Sequence, residues 1–331
     1  MKILVTGGAG YIGGTVAGLL VERGHEAVVY DNLSHGRKDL LPAGVQFVEG
    51  ELADRALLDR LFAEAAGEGK PFGGVMHFAA LIEAGESMVR PETFFRNNTA
   101  STLALLESMH ANGVNKLVFS STAAVYGEPE VVPIREDAKL QPTNAYGESK
   151  LLVEHMLRWM NQIHGFRYAS LRYFNVAGAP EGPNGIRRGE AHEPESHLIP
   201  LILDVALGKR KAIKIFGEDY PTADGTCIRD YIHVSDLADA HLLALEALEK
   251  QDRIIMNLGN GKGFSVREVI ESARRVTGHP IPAEVQPRRP GDPAVLVASS
   301  EKAINELGWK PRYTQLDDIL RTAWAWHQKR Y

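Results

Sequence analysis

A short strand followed at once by three regularly spaced glycines constrains this chain more than any other feature. The apolar run Lys2–Thr6 predicts a β-strand, and Gly7, Gly10 and Gly13 follow it with the spacing G-x-x-G-x-x-G before a helical pattern begins. Glycine lets the backbone approach a pyrophosphate closely, and the free N–H groups at the helix start then bind the anion. Because the triplet lies between a strand and a helix, we interpret it as a dinucleotide-binding motif.

The first half of the chain alternates short apolar runs with longer helical patterns. The predicted strands are Lys2–Thr6, Glu26–Tyr30, Gln46–Glu49, Gly74–Phe78, Lys116–Ser120 and Tyr168–Tyr173. The predicted helices are Thr15–Glu22, Ala56–Ala66, Pro91–Ala111 and Ala145–His164. This alternation predicts βαβ units and therefore an α/β fold, namely a Rossmann-type doubly wound parallel sheet with helices on both faces.

A change of composition after Asn175 predicts a second domain. We expect a dinucleotide-binding domain at residues 1–175, rejoined by a segment around residues 230–250, and a smaller α/β substrate-binding domain at residues 176–331. The stretch Gly178–Glu195 is rich in glycine, proline and charge and predicts a long loop, which is usually functional or disordered. Beyond it the predicted elements are Leu198–Leu207, Ile213–Phe216, Ile254–Leu258, Val266–Thr277, Ser300–Leu307 and Leu316–Gln328.

Composition excludes several classes of function. The net charge of −5 argues against a surface that binds nucleic acid through bulk positive charge. No apolar run approaches the length of a membrane span, and the N-terminal apolar run is too short for the core of a signal peptide. A single cysteine, Cys227, rules out an intrachain disulfide framework. We therefore expect a cytoplasmic protein that binds neither nucleic acid nor membranes.

The end of the second predicted strand indicates which dinucleotide is bound. Asp31 follows Gly13 by eighteen residues. A carboxylate at this point accepts hydrogen bonds from the adenosine ribose and repels a 2′-phosphate. The sequence therefore predicts NAD rather than NADP.

A tyrosine and a lysine indicate proton transfer. Tyr146 and Lys150 lie one turn apart on the same face of a predicted helix. A phenol has a pKa near 10, and a neighbouring ammonium group favours the phenolate. The run Ser120–Thr122 ends a predicted strand, where open parallel sheets place their ligands. Thr122, Tyr146 and Lys150 together suit hydride transfer at a carbinol carbon.

These motifs together resemble the extended short-chain dehydrogenase/reductase family. Longer runs are similar to its UDP-glucose 4-epimerase branch. They are His77-Phe78-Ala79-Ala80, the segment 119–127, Leu171-Arg172-Tyr173-Phe174-Asn175 and, most specifically, the segment 216–234. The resemblance covers essentially the whole chain.

The resemblance implies a reaction and an assembly. Tightly held NAD would take a hydride from C4 of a UDP-hexose and return it to the other face of a transient 4-keto sugar, interconverting UDP-galactose and UDP-glucose. Tyr146 would be the base, Lys150 would lower its pKa, and Thr122, in place of the usual serine, would hydrogen-bond O4. Two helices, Pro91–Ala111 and Ala145–His164, would pair with those of a second copy in a four-helix bundle, so a homodimer is expected.

The resemblance also implies two sets of binding residues. The cofactor-binding set is Gly7, Gly10, Tyr11, Ile12, Gly13, Asp31, Asn32, Glu51, Leu52, Phe78, Ala79, Ala80, Asn97, Ser120, Tyr146, Lys150 and Tyr173. The substrate-binding set is Thr122, Tyr146, Asn175, His197, Leu198, Phe216, Arg229, Arg289, Asp292 and Leu296. Arg229 and Arg289 would match the pyrophosphate oxygens, and Asp292 would accept hydrogen bonds from the uridine ribose.

No metal site is expected, since the chain has neither a cysteine pair nor the H-E-x-x-H motif. His192 and His197 are interpreted as surface polar residues rather than as metal ligands. Arg187 and Arg188 are interpreted as a solvated turn, although a contact from them to a substrate carboxylate stays open.

Three alternatives remain. A UDP-N-acetylhexosamine or UDP-uronate epimerase is one, because Leu296 stands where some members carry a bulky tyrosine that limits the 2-substituent, and an apolar wall discriminates weakly. A nucleotide-sugar dehydratase is disfavoured, because Ala123 and Ala124 stand where dehydratases carry acidic residues. A non-catalytic NAD- or nucleotide-sugar-binding protein is the third, but such a protein could dispense with Tyr146 and Lys150.

Overall fold

Seven parallel strands form the central sheet of the protein. The computed structural model describes residues 1–182, 188–289 and 292–330. In sheet order the strands are β3 (Gln46–Glu49), β2 (Glu26–Asp31), β1 (Lys2–Thr6), β4 (Phe72–His77), β5 (Lys116–Thr122), β6 (Arg167–Tyr173) and β10 (Arg253–Leu258). The order reverses between β1 and β4, and such a switch point is where open α/β sheets bind ligands.

Helices cover both faces of this sheet. They are α1 (Tyr11–Glu22), α2 (Arg55–Gly67), α5 (Ser101–Ala111), α6 (Ala145–His164) and α8 (Val234–Ala247), with the short helices α3 (Ala84–Ser87) and α4 (Pro91–Phe94) before α5. Ile3 and Val5 of β1 pack in one apolar cluster with α1 and α8, and Leu4 packs in another with α2, α5 and α6. Burial of both faces explains the unbroken apolar runs of these strands and confirms the predicted Rossmann-type fold.

Two smaller sheets form the second layer of structure. β9 (Ile228–His233) pairs with β7 (Asn175–Ala177), β11 (Gly263–Ser265) and β13 (Val295–Leu296), and β8 (Ile213–Phe216) pairs with β12 (Ala283–Gln286). The helices around them are α7 (Leu198–Ala206), α9 (Val266–Thr277) and α11 (Leu316–Arg330), whereas α10 (Glu301–Leu307) packs against α8 and β10 of the central sheet. Ile202, Val269 and Ile319 bury the facing sides of α7, α9 and α11 in one cluster.

The chain crosses between the two parts more than once. After β9, helix α8 packs against α1, and β10 joins the edge of the central sheet beside β6. Leu237 and Leu245 of α8 lie in the apolar cluster of the central sheet. The division into two domains at residue 175 remains our proposal. No described helix is both long enough and apolar enough to span a membrane.

Several predicted elements have the observed bounds, and one helix differs in kind. The predicted helix Pro91–Ala111 is interrupted by a π-helical turn, Phe95–Ala100, between α4 and α5. The helix predicted from Thr15 begins at Tyr11 instead. Gly13 and Gly14 hide this start, because glycine carries no side chain that could contribute to a helical pattern.

Candidate active site

A cleft of about 700 Å³ lies at the carboxyl ends of the central strands. Its walls bring together nearly all of the predicted site residues, which come from both parts of the molecule. Those that line it are Gly7, Gly10, Tyr11, Ile12, Gly13, Asp31, Asn32, Glu51, Leu52, Phe78, Ala79, Ala80, Asn97, Ser120, Thr122, Tyr146, Tyr173, Asn175, His197, Leu198, Phe216, Arg229, Arg289 and Asp292. Lys150 and Leu296 are the two predicted residues that do not line it.

The glycine motif forms a turn that tolerates no side chain at two of its positions. Gly7 has φ +71°, and a Cβ atom there would lie 2.5 Å from the Ala79 nitrogen. A Cβ atom on Gly13 would lie 2.4 Å from the Gly7 carbonyl oxygen. A Cβ atom on Gly10, the N-cap of α1, would lie 3.3 Å from the Gly7 oxygen, a tight contact that a small shift could relieve, and no side chain caps this helix. The first-turn N–H groups of α1 therefore stay available to an anion.

Asp31 shapes the loop that borders this end of the cleft. Its two carboxylate oxygens accept hydrogen bonds from the backbone N–H groups of Leu33, at 2.8 Å, and Ala9, at 3.0 Å. Burial raises the pKa of Asp31 above its usual value, and these two hydrogen bonds offset only part of the rise. Nearby, the Asn32 amide donates to both carboxylate oxygens of Glu51, at 3.2 and 3.1 Å. Three polar side chains thus face the part of the cleft next to β2.

The π-helical turn places Asn97 on the cleft wall. Its neighbour Asn98 is buried and exchanges two hydrogen bonds with the backbone of Leu81, at 2.8 and 2.9 Å. Thr99 donates to the Ser149 carbonyl oxygen at 3.1 Å, which ties the turn to α6. π-Helical turns occur often at functional sites.

Tyr146 lies in the first turn of α6, opposite the end of β5. The Asn144 side chain caps this helix by accepting from the Gly147 N–H at 2.8 Å, and Ser87 accepts from the Tyr146 N–H at 3.1 Å. Burial raises the pKa of the Tyr146 phenol, a side-chain hydrogen bond with Thr122 lowers it, and the charge of Glu83 raises it further. Two hydroxyl groups of the predicted catalytic set therefore meet in the cleft.

Lys150 occupies a different place from the one expected. Its side chain is buried behind the cleft wall, where Nζ donates to the Ser120 carbonyl oxygen at 2.8 Å and lies 4.9 Å from the centre of the Phe119 ring. Burial lowers the pKa of Lys150 to about 7. The predicted effect of this ammonium group on the phenol pKa is not among the causes of the Tyr146 shift.

The far end of the cleft carries two arginines in fixed positions. The Arg289 guanidinium stacks on the ring of Phe216, 4.1 Å from its centre. Arg229 is buried on β9 and donates to the Asp292 carboxylate at 2.5 Å. Asp292 is predicted to accept hydrogen bonds from a ribose, and in the structure its carboxylate already accepts one from Arg229. Cys227 lines the same end of the cleft.

Comparison with known proteins decides the family. Residues 3–259 match the model of the NAD dependent epimerase/dehydratase family. The chain belongs to this family. Its NAD dependence agrees with the uncapped start of α1 and the Asp31 carboxylate, and NAD is the cofactor of this cleft.

Relatives in this family are similar along their whole lengths. The UDP-glucose 4-epimerase of Streptomyces lividans is 54% identical over 326 residues, which cover 98% of this chain and 96% of that protein. A crystal structure of a UDP-glucose 4-epimerase has 52% identity and a TM-score of 0.94, covering 99% of this chain and 98% of that one. The structure of the Bifidobacterium longum enzyme in complex with NAD⁺ and UDP has 38% identity and a TM-score of 0.93, covering 99% and 98%.

Arg188, from the long loop, lines the cleft near the start of α1 and connects this helix to the loop after β2. Its guanidinium donates to the carbonyl oxygens of Gly14 on α1 and of Leu40 in the loop after β2. The interpretation of Arg188 as part of a solvated turn is therefore wrong, because two backbone carbonyl oxygens replace water around it. Arg187 lies outside the described residues.

His192 and His197 are half-buried in the cleft wall, which corrects their interpretation as surface polar residues. His192 Nδ1 forms a hydrogen bond with Glu190, and His197 Nδ1 forms one with Glu195 at 2.8 Å. Burial lowers the pKa of His192, but the hydrogen bond and charge of Glu190 outweigh it and raise the pKa to about 9. Two carboxylates thus hold both imidazoles in place.

Sequence reasoning missed a group of cleft residues and misplaced one. Glu83, Arg188, Glu190 and Cys227 line the cleft without being predicted to do so. The high density of charged residues in the stretch 178–195 is the sequence signal that could have indicated two of them, Arg188 and Glu190. Leu296 packs beside the apolar cluster around Val125 instead of facing the cleft.

Proposed function

We propose that this protein interconverts UDP-galactose and UDP-glucose by epimerisation at C4, using NAD that stays bound. The single observation that carries this proposal is the pairing of the Tyr146 and Thr122 hydroxyls in one cleft. A dinucleotide cradle lies at one end of that cleft and a pair of arginines at the other. The arrangement suits oxidation and reduction of one alcohol on a substrate anchored by its diphosphate.

Tyr146 and Thr122 would handle the proton of the 4-hydroxyl group. When bound, NAD would supply the hydride acceptor and a positive charge, which would favour the ionised form of the Tyr146 phenol. Tyr146 would take the O4 proton and later return it, while the Thr122 hydroxyl would hydrogen-bond O4. Lys150 would hold the end of β5 through the Ser120 carbonyl oxygen.

The arginines would anchor the nucleotide while the sugar turns. Guanidinium groups remain charged and match the geometry of phosphate oxygens, and the Phe216 ring fixes the plane of Arg289. Asn175, Leu198 and His197 line the wall between these arginines and the catalytic hydroxyls. An anchor at the diphosphate leaves the hexose free to present either face at C4.

The residues after Thr122 support epimerisation over dehydration. Ala123 and Ala124 open a 3₁₀ turn at the end of β5, and neither side chain can exchange a proton. Elimination of water from the sugar needs an additional acid and base. The missing acid at these two positions therefore favours a reaction that ends with hydride return.

Leu296 lies away from the cleft, and this observation supports a second substrate class. Some family members carry a bulky residue at this position, which restricts the 2-substituent of the sugar. In this chain the Leu296 side chain does not line the cleft. We therefore also propose slower epimerisation of UDP-N-acetylglucosamine by the same residues.

A homodimer is proposed from two exposed helix faces. Leu103 on α5 and Trp159 and Ile163 on α6 expose 41%, 56% and 67% of their surfaces. Apolar side chains clustered on neighbouring helices are typical of a helical dimer interface. Light scattering should give the mass of two chains, and a monomeric mass at micromolar concentration would contradict the proposal.

Product analysis by NMR tests the proposed reaction. The purified protein is incubated separately with UDP-galactose and UDP-N-acetylglucosamine, without added NAD. We expect UDP-glucose to form from UDP-galactose, with slower conversion of the N-acetyl sugar. UDP-galactose left unchanged by a protein that contains NAD would contradict the proposal, and unchanged UDP-N-acetylglucosamine would remove the second substrate class alone.

A further inference from the structure

A cluster of metal-binding side chains lies in the cleft wall, and two of its members, Glu190 and His192, have no part in the proposed reaction. Glu190, His192 and His197 each point one ligand atom to a common region, and these atoms all lie within 4.8 Å of one another. All three residues line the cleft and are half-buried. Their separation is short enough for small movements to bring them onto one ion.

Glu195 completes the surroundings of this cluster. Its side chain is 92% buried, and one carboxylate oxygen accepts from His197 Nδ1 at 2.8 Å. The other oxygen, Oε2, is buried without a hydrogen-bond partner among the residues that the structure describes. A buried carboxylate oxygen is costly to leave unpaired, and a cation is the usual partner for such an atom.

The contacts within the cluster resemble a metal site and its supporting shell. A carboxylate on one ring nitrogen of His197 fixes the ring and leaves its second nitrogen for a cation, an arrangement common around protein-bound zinc. Glu190 and His192 are in direct hydrogen-bond contact, so one ion could bridge them by replacing the shared proton.

We propose that Glu190, His192 and His197 form a binding site for a divalent transition-metal ion such as Zn²⁺, with Glu195 orienting His197. Two imidazoles and one carboxylate are a ligand set that suits Zn²⁺ or Co²⁺ and disfavours Mg²⁺. The site opens to the cleft, so water or a phosphate oxygen can complete the coordination. The ion would cross-link the segment 190–197 within itself, because all three of its ligands come from that segment.

Equilibrium dialysis of the whole protein against Zn²⁺ tests the site without reference to catalysis. The wild type should bind one Zn²⁺ per chain at this site. The His192→Ala and Glu190→Gln variants should each weaken its Kd at least tenfold. Visible absorption of bound Co²⁺ should be lost in parallel, which reports on the ligands directly.

A second histidine pair provides the matched control. His110 and His164 lie with ring centres 4.2 Å apart at the ends of α5 and α6, and neither belongs to the Glu190, His192 and His197 cluster. The double variant His110→Ala/His164→Ala should keep the wild-type Kd. Unchanged Zn²⁺ binding in both His192→Ala and Glu190→Gln, or its loss in the control instead, would overturn the proposal.

Folding of the variants is checked separately. Glu190→Gln preserves the shape of the side chain, and the backbone carbonyl of Glu190 that accepts from Trp326 is unaffected. NAD content and the thermal unfolding midpoint are measured on the same samples. Weaker Zn²⁺ binding in a variant whose NAD content and midpoint equal those of the wild type supports the proposed site. Binding is measured without a UDP-sugar, so the result is independent of the proposed epimerisation.

Discussion

The two ends of the cleft are built in different ways. The NAD end consists of backbone, namely the glycine turn after β1 and the uncapped start of α1, and its residues follow one another in sequence. The opposite end, which we propose binds the nucleotide sugar and call the nucleotide-sugar end, consists of side chains from distant segments, with Phe216, Arg229, Arg289 and Asp292 held by stacking and an ion pair. Substitutions at the first end should therefore change both folding and binding, whereas those at the second should change binding alone.

Replacement of Tyr146 by Phe, between the two ends, should have the largest effect. Without the phenolic oxygen the O4 proton has no acceptor, so turnover should fall by about 10³-fold, which is typical of general-base removal. Epimerisation is measured by NMR, and NAD content should match the wild type. Tyr168→Phe, a buried tyrosine on β6, is the control and should retain near-normal turnover. Wild-type turnover in Tyr146→Phe would remove the catalytic assignment.

Two glycine substitutions separate folding from binding at the NAD end. Gly7→Ala should cost about 1–3 kcal/mol of unfolding free energy, because it combines a positive φ with a close backbone contact. Gly10→Ala should cost no more than about 1 kcal/mol, since φ at Gly10 is negative and its Cβ atom makes a single tight contact, 3.3 Å from the Gly7 oxygen. Both should reduce NAD content.

Urea unfolding and NAD release after denaturation measure these two quantities. Equal stability of Gly7→Ala and the wild type would contradict the packing account of the turn. Full NAD content in Gly10→Ala would contradict the role given to the start of α1.

Arg289→Ala should affect binding alone at the nucleotide-sugar end. Loss of a charge-assisted contact of about 1.5–3 kcal/mol should raise KM for the UDP-sugar by about 10–100-fold. The unfolding free energy and NAD content should not change, because the Arg289 side chain stacks on Phe216 at the edge of the cleft. Arg289→Lys keeps the charge and should recover part of the affinity. A normal KM in Arg289→Ala would show that this end binds the diphosphate elsewhere.

Lys150 should give the protein a pH-dependent stability. Burial lowers its pKa to about 7, whereas the same amine in the unfolded chain titrates near 10.5. Between these values the unfolded state binds more protons, so the unfolding free energy should rise with pH by up to about 1.4 kcal/mol per pH unit.

Urea unfolding from pH 7 to 9 measures this slope, and Lys150→Met should have a smaller one. Identical slopes in the two proteins would mean that Lys150 is charged in the folded state. That result would support the prediction from the sequence that Lys150 carries a positive charge near the Tyr146 phenol.

The difference between features built from consecutive residues and those built from distant segments also explains what the sequence could predict. The strand, the glycines and Asp31 are local signals, and the strand β1 and helix α6 have their predicted bounds. The π-helical turn was unpredictable, because its backbone depends on the contacts of Asn98 and Thr99 with other segments. Arg188 and His192 were misread for the same reason, since only the folded chain shows which carbonyl oxygens and carboxylates surround them.

Burial adds an electrostatic effect at Lys150 that spacing could not predict. Spacing correctly placed Tyr146 and Lys150 on one helix, but it could not reveal that Nζ of Lys150 is desolvated and bound to the Ser120 carbonyl oxygen. A pKa depends on the surroundings of the side chain in three dimensions, and helical spacing describes only one neighbour.

Isotope retention tests the central claim most directly. The claim is that one cleft removes hydrogen from C4 and returns it to the opposite face of the same sugar. UDP-galactose that carries deuterium at C4 is incubated with the purified protein in ordinary water, without added NAD, and the product is examined by NMR. The account predicts UDP-glucose with deuterium still at C4, whereas product with solvent hydrogen at C4 would contradict it.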